Sequence, residues 1–201
     1  MAAVVSDDAI DKTSAFEKEL TYIKNDRIKD SARVLINQIP EYFFHEAASS
    51  TGKYHPSFSQ GEGGLLRHTK AAVRIAHEIL STETFGDMYT SAEKDLIILA
   101  LIMHDSVKRG DNEQHTRFDH PLLASKLILD NKNNISLNDE EISLLIRMIN
   151  AHMGEWNTST YSEISLPKPS DKYEKIVHLC DLLSSKKFLD IKFDGKNNIM
   201  Y

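Results

Sequence analysis

The longest apolar stretch of the chain, Leu96-Ile97-Ile98-Leu99-Ala100-Leu101-Ile102-Met103, carries no charge anywhere along it. A helix that is apolar on every side belongs at the centre of a fold. Around it, apolar positions return at helical rather than alternating spacing. Phe16, Leu20 and Ile23 lie three and four residues apart, behind Ser14 and Glu17, which have the spacing of a capping box. Ile28, Ala32, Leu35 and Ile36 mark one face of a helix over 26–38 that Pro40 stops. Further helices are predicted over 64–81, 91–104, 121–131, 138–151 and 171–188. The stretches 46–63 and 154–170, rich in Gly, Pro and hydroxyl residues, read as loops, the second with a short extended piece. A loop as long as the first is often functional. The chain shows no internal repeat, low-complexity tract or β-α-β alternation. The pattern therefore predicts an all-α protein with one domain over 26–201 and an N-terminal helical extension over 1–25.

Composition changes this picture little but narrows function. The 201 residues suffice for one well-buried domain, and 41 % hydrophobic with 27 % charged residues is ordinary for a globular protein. A net charge of −6 argues against a duplex-DNA binder, which needs a basic face to meet phosphates. It leaves room for a small anionic substrate held by a few local cations. Cys180 is the single cysteine, so no intramolecular disulfide and no Cys-rich zinc site can form. Met1 to Ile10 lacks the basic start and apolar core of a signal peptide, and no apolar run reaches the roughly 18 residues of a membrane span. A cytoplasmic location is expected, the host cytoplasm if the chain is viral.

The chemistry starts where the oily helix stops, at His104-Asp105. Burying an ionised carboxylate there is costly unless something compensates it, and a divalent metal is a strong compensator. His68 stands upstream in Gly-Gly-Leu-Leu-Arg-His-Thr, and Asp181 downstream in His-Leu-Cys-Asp-Leu-Leu, each beside an apolar stretch. Two imidazoles with two carboxylates suit Mn, Fe, Co, Ni or Zn better than calcium. His104 and Asp105 can reach one ion together only if the helix ends there and the backbone turns, which Ser106 to Asp111 with Gly110 permits. The order His … His-Asp … Asp resembles the pattern of the HD phosphohydrolase superfamily. The resemblance implies a compact helical domain with a metal at its centre, and a metal-dependent phosphohydrolase.

It extends to Asp119-His120-Pro121-Leu-Leu-Ala-Ser and Asn150-Ala-His152-Met-Gly-Glu-Trp156, which are similar to the later histidines of binuclear members, including the cyclic-dinucleotide phosphodiesterase branch. His120 and His152 are then ligands of a second ion, or substrate and acid–base groups beside a single one. Lys108, in His-Asp-Ser-Val-Lys, matches the His-Asp-x-x-Lys form of many phosphohydrolase members. With Asp105 it is the expected catalytic pair, and it is also a phosphate-binding candidate together with Arg67 and Lys70. Phosphoryl transfer needs such cations at the non-bridging oxygens. The segment Gly52-Lys-Tyr-His-Pro … Gly61-Glu-Gly-Gly-Leu-Leu-Arg-His-Thr-Lys70 resembles a subgroup of small HD proteins common in phage and bacterial genomes. Its glycines would either let backbone amides approach an anion or form a flexible turn; no Walker spacing is present. Trp156 either stacks a base, covers the pocket or closes a core edge, the last being the plainer expectation. His45, His55, His77, His115 and His178 read as ordinary.

The expected substrate is a small nucleotide, cleaved as by a 5′-nucleotidase or a (deoxy)nucleoside triphosphohydrolase, without a membrane partner and with homo-oligomerisation open. The alternatives are an HD-type phosphodiesterase or 3′-to-5′ exonuclease acting on cyclic nucleotides or single-stranded RNA, a non-catalytic binding protein, and a di-iron oxygenase on the same scaffold.

Overall fold

The computed structural model describes residues 11–49, 52, 55–110, 115–189 and 191–200. Its helices are α1 (Glu17–Leu20), α2 (Asp26–Asn37), α3 (Gly64–Leu80), α4 (Glu83–Gly86), α5 (Ser91–Met103), α6 (His120–Asp130), α7 (Asp139–Asn150) and α8 (Lys172–Ser184). Single 3-10 turns fall at Ser14–Phe16, Glu41–Phe44, Ser57–Ser59, Lys132–Asn134 and Gly154–Trp156. A small antiparallel pair, β1 (Thr158–Ser159) with β2 (Ser162–Ser165), is the extended piece expected between α7 and α8. The all-α reading holds, and the long predicted helices match to within a few residues.

The uniform apolarity of α5 places it in the middle: every residue from Asp95 to Met103 is buried. Helices α2, α3, α7 and α8 pack around it, α3 lies along α8, and α6 rests on α7. Reciprocal capping boxes start α5 (Thr90 with Glu93) and α7 (Asn138 with Glu141). The box expected at Ser14 does not form. Ser14 lies inside a 3-10 turn, where its hydroxyl donates to the Asp11 carbonyl at 2.7 Å, while the Asp11 carboxylate accepts from the Ser14 amide. An acidic side chain three residues upstream has taken the cap.

Asp95, 2 % exposed, is the polar exception inside α5. Its two oxygens accept the amides of Lys24 and Asn25 at 3.0 and 2.8 Å, so α5 itself ties down the turn that opens α2. The described part of the expected extension packs its apolar side chains into the core: Phe16 and Ile23 are fully buried, with Phe16 against Phe43 and Phe44. The stretch 1–10 lies outside the described residues. Among those described, no helix is long and apolar enough to cross a membrane.

Candidate metal centre

The end of α5 builds the site. Past Met103 the helix tightens into successive turns, with Ser106 N–H donating to the Met103 carbonyl at 3.0 Å and Lys108 N–H to the Asp105 carbonyl at 3.2 Å. Gly110 closes them at φ +67°. This turning brings the neighbouring side chains of His104 and Asp105 to one point, as their adjacency requires. His68 comes from the first half of α3, Asp181 from the last turns of α8, His120 from the first residue of α6, and His152 from the turn after α7. The five residues His68, His104, Asp105, His120 and His152 are each at most 3 % exposed.

The distances define one continuous cluster. His68 Nε2 is 2.9 Å from Asp181 Oδ1 and 3.7 Å from Asp105 Oδ2. His104 Nε2 is 3.5 and 3.4 Å from the same two oxygens. His120 Nε2 lies 3.0 Å from Asp105 Oδ1 and 3.2 Å from His152 Nε2. One donor atom each of His68, His104 and Asp181 falls within 4.8 Å of the others, and the same is true of His104, Asp105 and His152.

The outer nitrogens settle which lone pairs point inward. Nδ1 of His104, His120 and His152 each sits 2.7 Å from a backbone carbonyl, of Leu101, Arg117 and Ile149 respectively. A carbonyl only accepts, so these nitrogens carry the proton. Ser184 Oγ donates to the Asp181 carbonyl at 2.7 Å and therefore accepts from His68 Nδ1 at 3.0 Å. All four imidazoles thus turn an Nε2 lone pair inward, His68 and His104 toward both carboxylates and His120 and His152 toward Asp105. Such lone pairs repel unless a proton or a cation lies between them, and the outer hydrogen bonds are those that orient metal-ligating histidines.

Electrostatics give the same answer. Burial lowers the His104 pKa, but Asp105 and Asp181 outweigh it and hold the group up at about 10. Burial works against the Asp105 and Asp181 carboxylates too, yet Lys108 and His104 for the first, and His104 and His68 for the second, keep both well below the usual range. Burial and the His104 charge push His152 down to about 3. The cluster calls for positive charge at its centre. His104 Nε2 and Asp105 Oδ1 are also buried without a hydrogen-bond partner. A divalent transition metal fits this mixed nitrogen and oxygen donor set.

A family model described as HD domain matches residues 65–186, more than half of the chain. The chain belongs to the HD-domain family. No curated protein and no solved structure matches it. HD-domain proteins are generally metal-dependent phosphohydrolases, and some are non-catalytic.

Within this HD domain the substrate-binding candidates separate. Lys108 reaches the edge of the cluster, its Nζ 2.5 Å from Asp105 Oδ2. Arg67 does not reach it. Its guanidinium donates to the carbonyls of Phe58, Gln60 and Glu62 and to Asn197 Oδ1, because one residue before His68 the helix has rotated it toward the loop. Lys70, two residues after His68, points to the opposite side of α3. It is 2 % exposed and lies 3.6 Å from Glu19. Both are engaged away from the cluster. Arg109 pairs with Glu46 at 2.6 Å.

The glycine loop before α3 is not an anion cradle. The amides of Gly63, Gly64 and Leu65 donate to the carbonyls of His45, Gly61 and Glu46. Gly63 has φ +69°, and a Cβ at Gly64 would stand 2.3 Å from the Ser59 carbonyl oxygen, so close backbone approach explains both glycines. Trp156 is 55 % exposed and closes no core edge; the Lys186 ammonium lies 5.7 Å from its ring centre.

Two histidines that read as ordinary belong to the site's surroundings. His178 Nδ1 donates to the His152 carbonyl at 2.7 Å, and its ring fills the space beside Gly154. Its position three residues before Asp181, on the same face of α8, was the available signal. His55 sets its ring edge against His68, with centroids 5.6 Å apart. Its only sequence signal was the loop that leads into the His68 helix. His77 stacks on Tyr22 and His45 pairs with Glu41 and Glu62, both away from the centre, while His115 is exposed.

Proposed function

We propose that this protein hydrolyses a phosphoester or phosphoanhydride bond of a small nucleotide, as a 5′-nucleotidase or a (deoxy)nucleoside triphosphohydrolase does. The observation that carries the reading is the inward turn of four Nε2 lone pairs onto Asp105 and Asp181, each imidazole locked by its other nitrogen. His68, His104, Asp105 and Asp181 would hold a divalent transition metal, with His120 and His152 extending the set. Bound there, such an ion supplies Lewis acidity that lowers the pKa of water and polarises a phosphoryl oxygen. Lys108, at the edge of the cluster and 14 % exposed, can leave Asp105 for a non-bridging phosphoryl oxygen and offset its charge. Asp105 orients the attacking water, because its carboxylate reaches toward both groups of donors.

The test is a screen of nucleoside mono-, di- and triphosphates, cyclic nucleotides and short RNA with manganese, cobalt or nickel. Release of phosphate, pyrophosphate or triphosphate from a mononucleotide supports the reading and identifies the bond. Metal-loaded protein that cleaves none of them removes it. A second reading, a phosphodiesterase acting on cyclic nucleotides or single-stranded RNA, is favoured by the group formed by His104, Asp105 and His152 beside the first. It requires about two ions per chain by elemental analysis and a linear product.

A further inference from the structure

His55 is a side chain beside this centre that the metal set leaves unused. It sits in a described stretch of the loop before α3 and is followed by the buried Pro56. The backbone around it is held firmly: the His55 carbonyl accepts from Gln60 Nε2 at 3.2 Å, and Ser59 Oγ donates to the Pro56 carbonyl at 2.9 Å. Arg67 then ties the Phe58 carbonyl to α3 one residue before His68. The ring is thereby set edge-on to His68, at 61°. Its Nδ1 is buried and has no hydrogen-bond partner. A buried polar nitrogen left unpaired costs free energy, which a ligand atom at that point would recover.

The ring is not placed as a ligand of the ion. Its nitrogens lie outside both groups of donor atoms that gather within 4.8 Å. It stands instead one ring beyond His68. Burial, then His68 and Lys108, lower its pKa to about 4, while Asp181 and Asp105 act the other way.

We propose that His55 is a substrate-contacting residue whose Nδ1 hydrogen-bonds an oxygen of the phosphoryl group held at the centre, working beside Lys108. This rests on the phosphohydrolase reading given above. A donor in this position adds recognition of an anionic oxygen beside the contact that Lys108 supplies.

The experiment uses inorganic phosphate and manganese-loaded full-length protein, with phosphorus relaxation as the readout of binding and elemental analysis as the readout of metal. His55→Leu removes both nitrogens; His55→Asn keeps a donor at the Nδ1 position. The expected result is unchanged manganese in both variants, phosphate affinity weakened on the order of tenfold to a hundredfold in His55→Leu, and recovery of most of that loss in His55→Asn. Equal phosphate affinity in wild type and His55→Leu overturns the proposal while leaving the phosphohydrolase reading intact. Loss of manganese in His55→Leu also overturns it, since His55 would then be a ligand. Wild-type protein that binds no phosphate at all overturns both together.

Discussion

At the scale of single residues, the site works because each group is held by something other than the ion it would meet. Asp105 is the hinge of the cluster, within 4 Å of nitrogens from His68, His104, His120, His152 and Lys108. Asp105→Ala is expected to abolish both metal binding and hydrolysis with little loss of helix content; circular dichroism with elemental analysis checks this, and undiminished metal would contradict it. Lys108 is different, since its proposed target is a phosphoryl oxygen. Lys108→Ala should keep the metal and lower kcat on the order of tenfold to a hundredfold, with Lys108→Arg recovering only part because a planar guanidinium is not a compact ammonium. Ser184 acts through His68: its hydroxyl links His68 Nδ1 to the Asp181 carbonyl and so couples ligands from α3 and α8. Ser184→Ala should weaken metal affinity roughly tenfold to a hundredfold, and Ser184→Thr should restore much of it, as metal titrations would show.

At the scale of elements, the helix that delivers His68 is fixed at the end nearest the centre. The start of α3 depends on Gly64, whose missing side chain lets the helix lie against the Ser59 backbone. Gly64→Ala must displace that backbone and with it the segment carrying His55. The expected cost is about 1–3 kcal/mol, read as a lowered midpoint in urea at unchanged slope. Loop lengths and helix positions were legible along the chain because apolar spacing and breakers speak for themselves within one helix. The orientation of Arg67 and Lys70 was not. Both flank His68 in sequence, but successive helix positions rotate by about 100°, so adjacency in the chain sent them to the loop and to Glu19.

At the scale of the whole molecule, the centre links stability to pH and to metal. In chelator-treated protein, His152 is held down to about 3 by burial and the His104 charge, and His55 to about 4 by burial and His68. Unfolded histidines take up protons near 6.5, so stability should fall as pH drops from 6.5 toward 3–4, the unfolded chain binding more protons. Below the ordinary aspartate range, Asp105 and Asp181 extend the loss, since their depressed pKa values favour the fold only while they stay ionised. His104 acts in the opposite sense: raised to about 10 by Asp105 and Asp181 against its burial, its contribution is complete below 6.5 and disappears as pH rises through 10. Thermal melts across pH should therefore show a maximum in the neutral range. Added manganese should raise the melting temperature there, and less at pH 5, where protons compete for the same nitrogens. A melting temperature that stays flat between pH 7 and 4 would contradict this account.

The amino-acid order by itself determined the helices, the central place of α5 and the residues capable of binding a metal. These follow from local periodicity and from the cost of leaving a carboxylate or an imidazole in an apolar helix. His68, His104, Asp105 and Asp181 stood out together, by their order and by each lying beside an apolar stretch, with His120 and His152 added by their likeness to binuclear members. Only the tertiary structure decided that all six converge, that Lys108 meets Asp105 while Arg67 and Lys70 turn away, and that His55 and His178 stand beside the ligands. Each of those outcomes depends on the packing of α3, α5, α7 and α8, and on where a side chain points once its helix is docked. No spacing along a single helix carries that information.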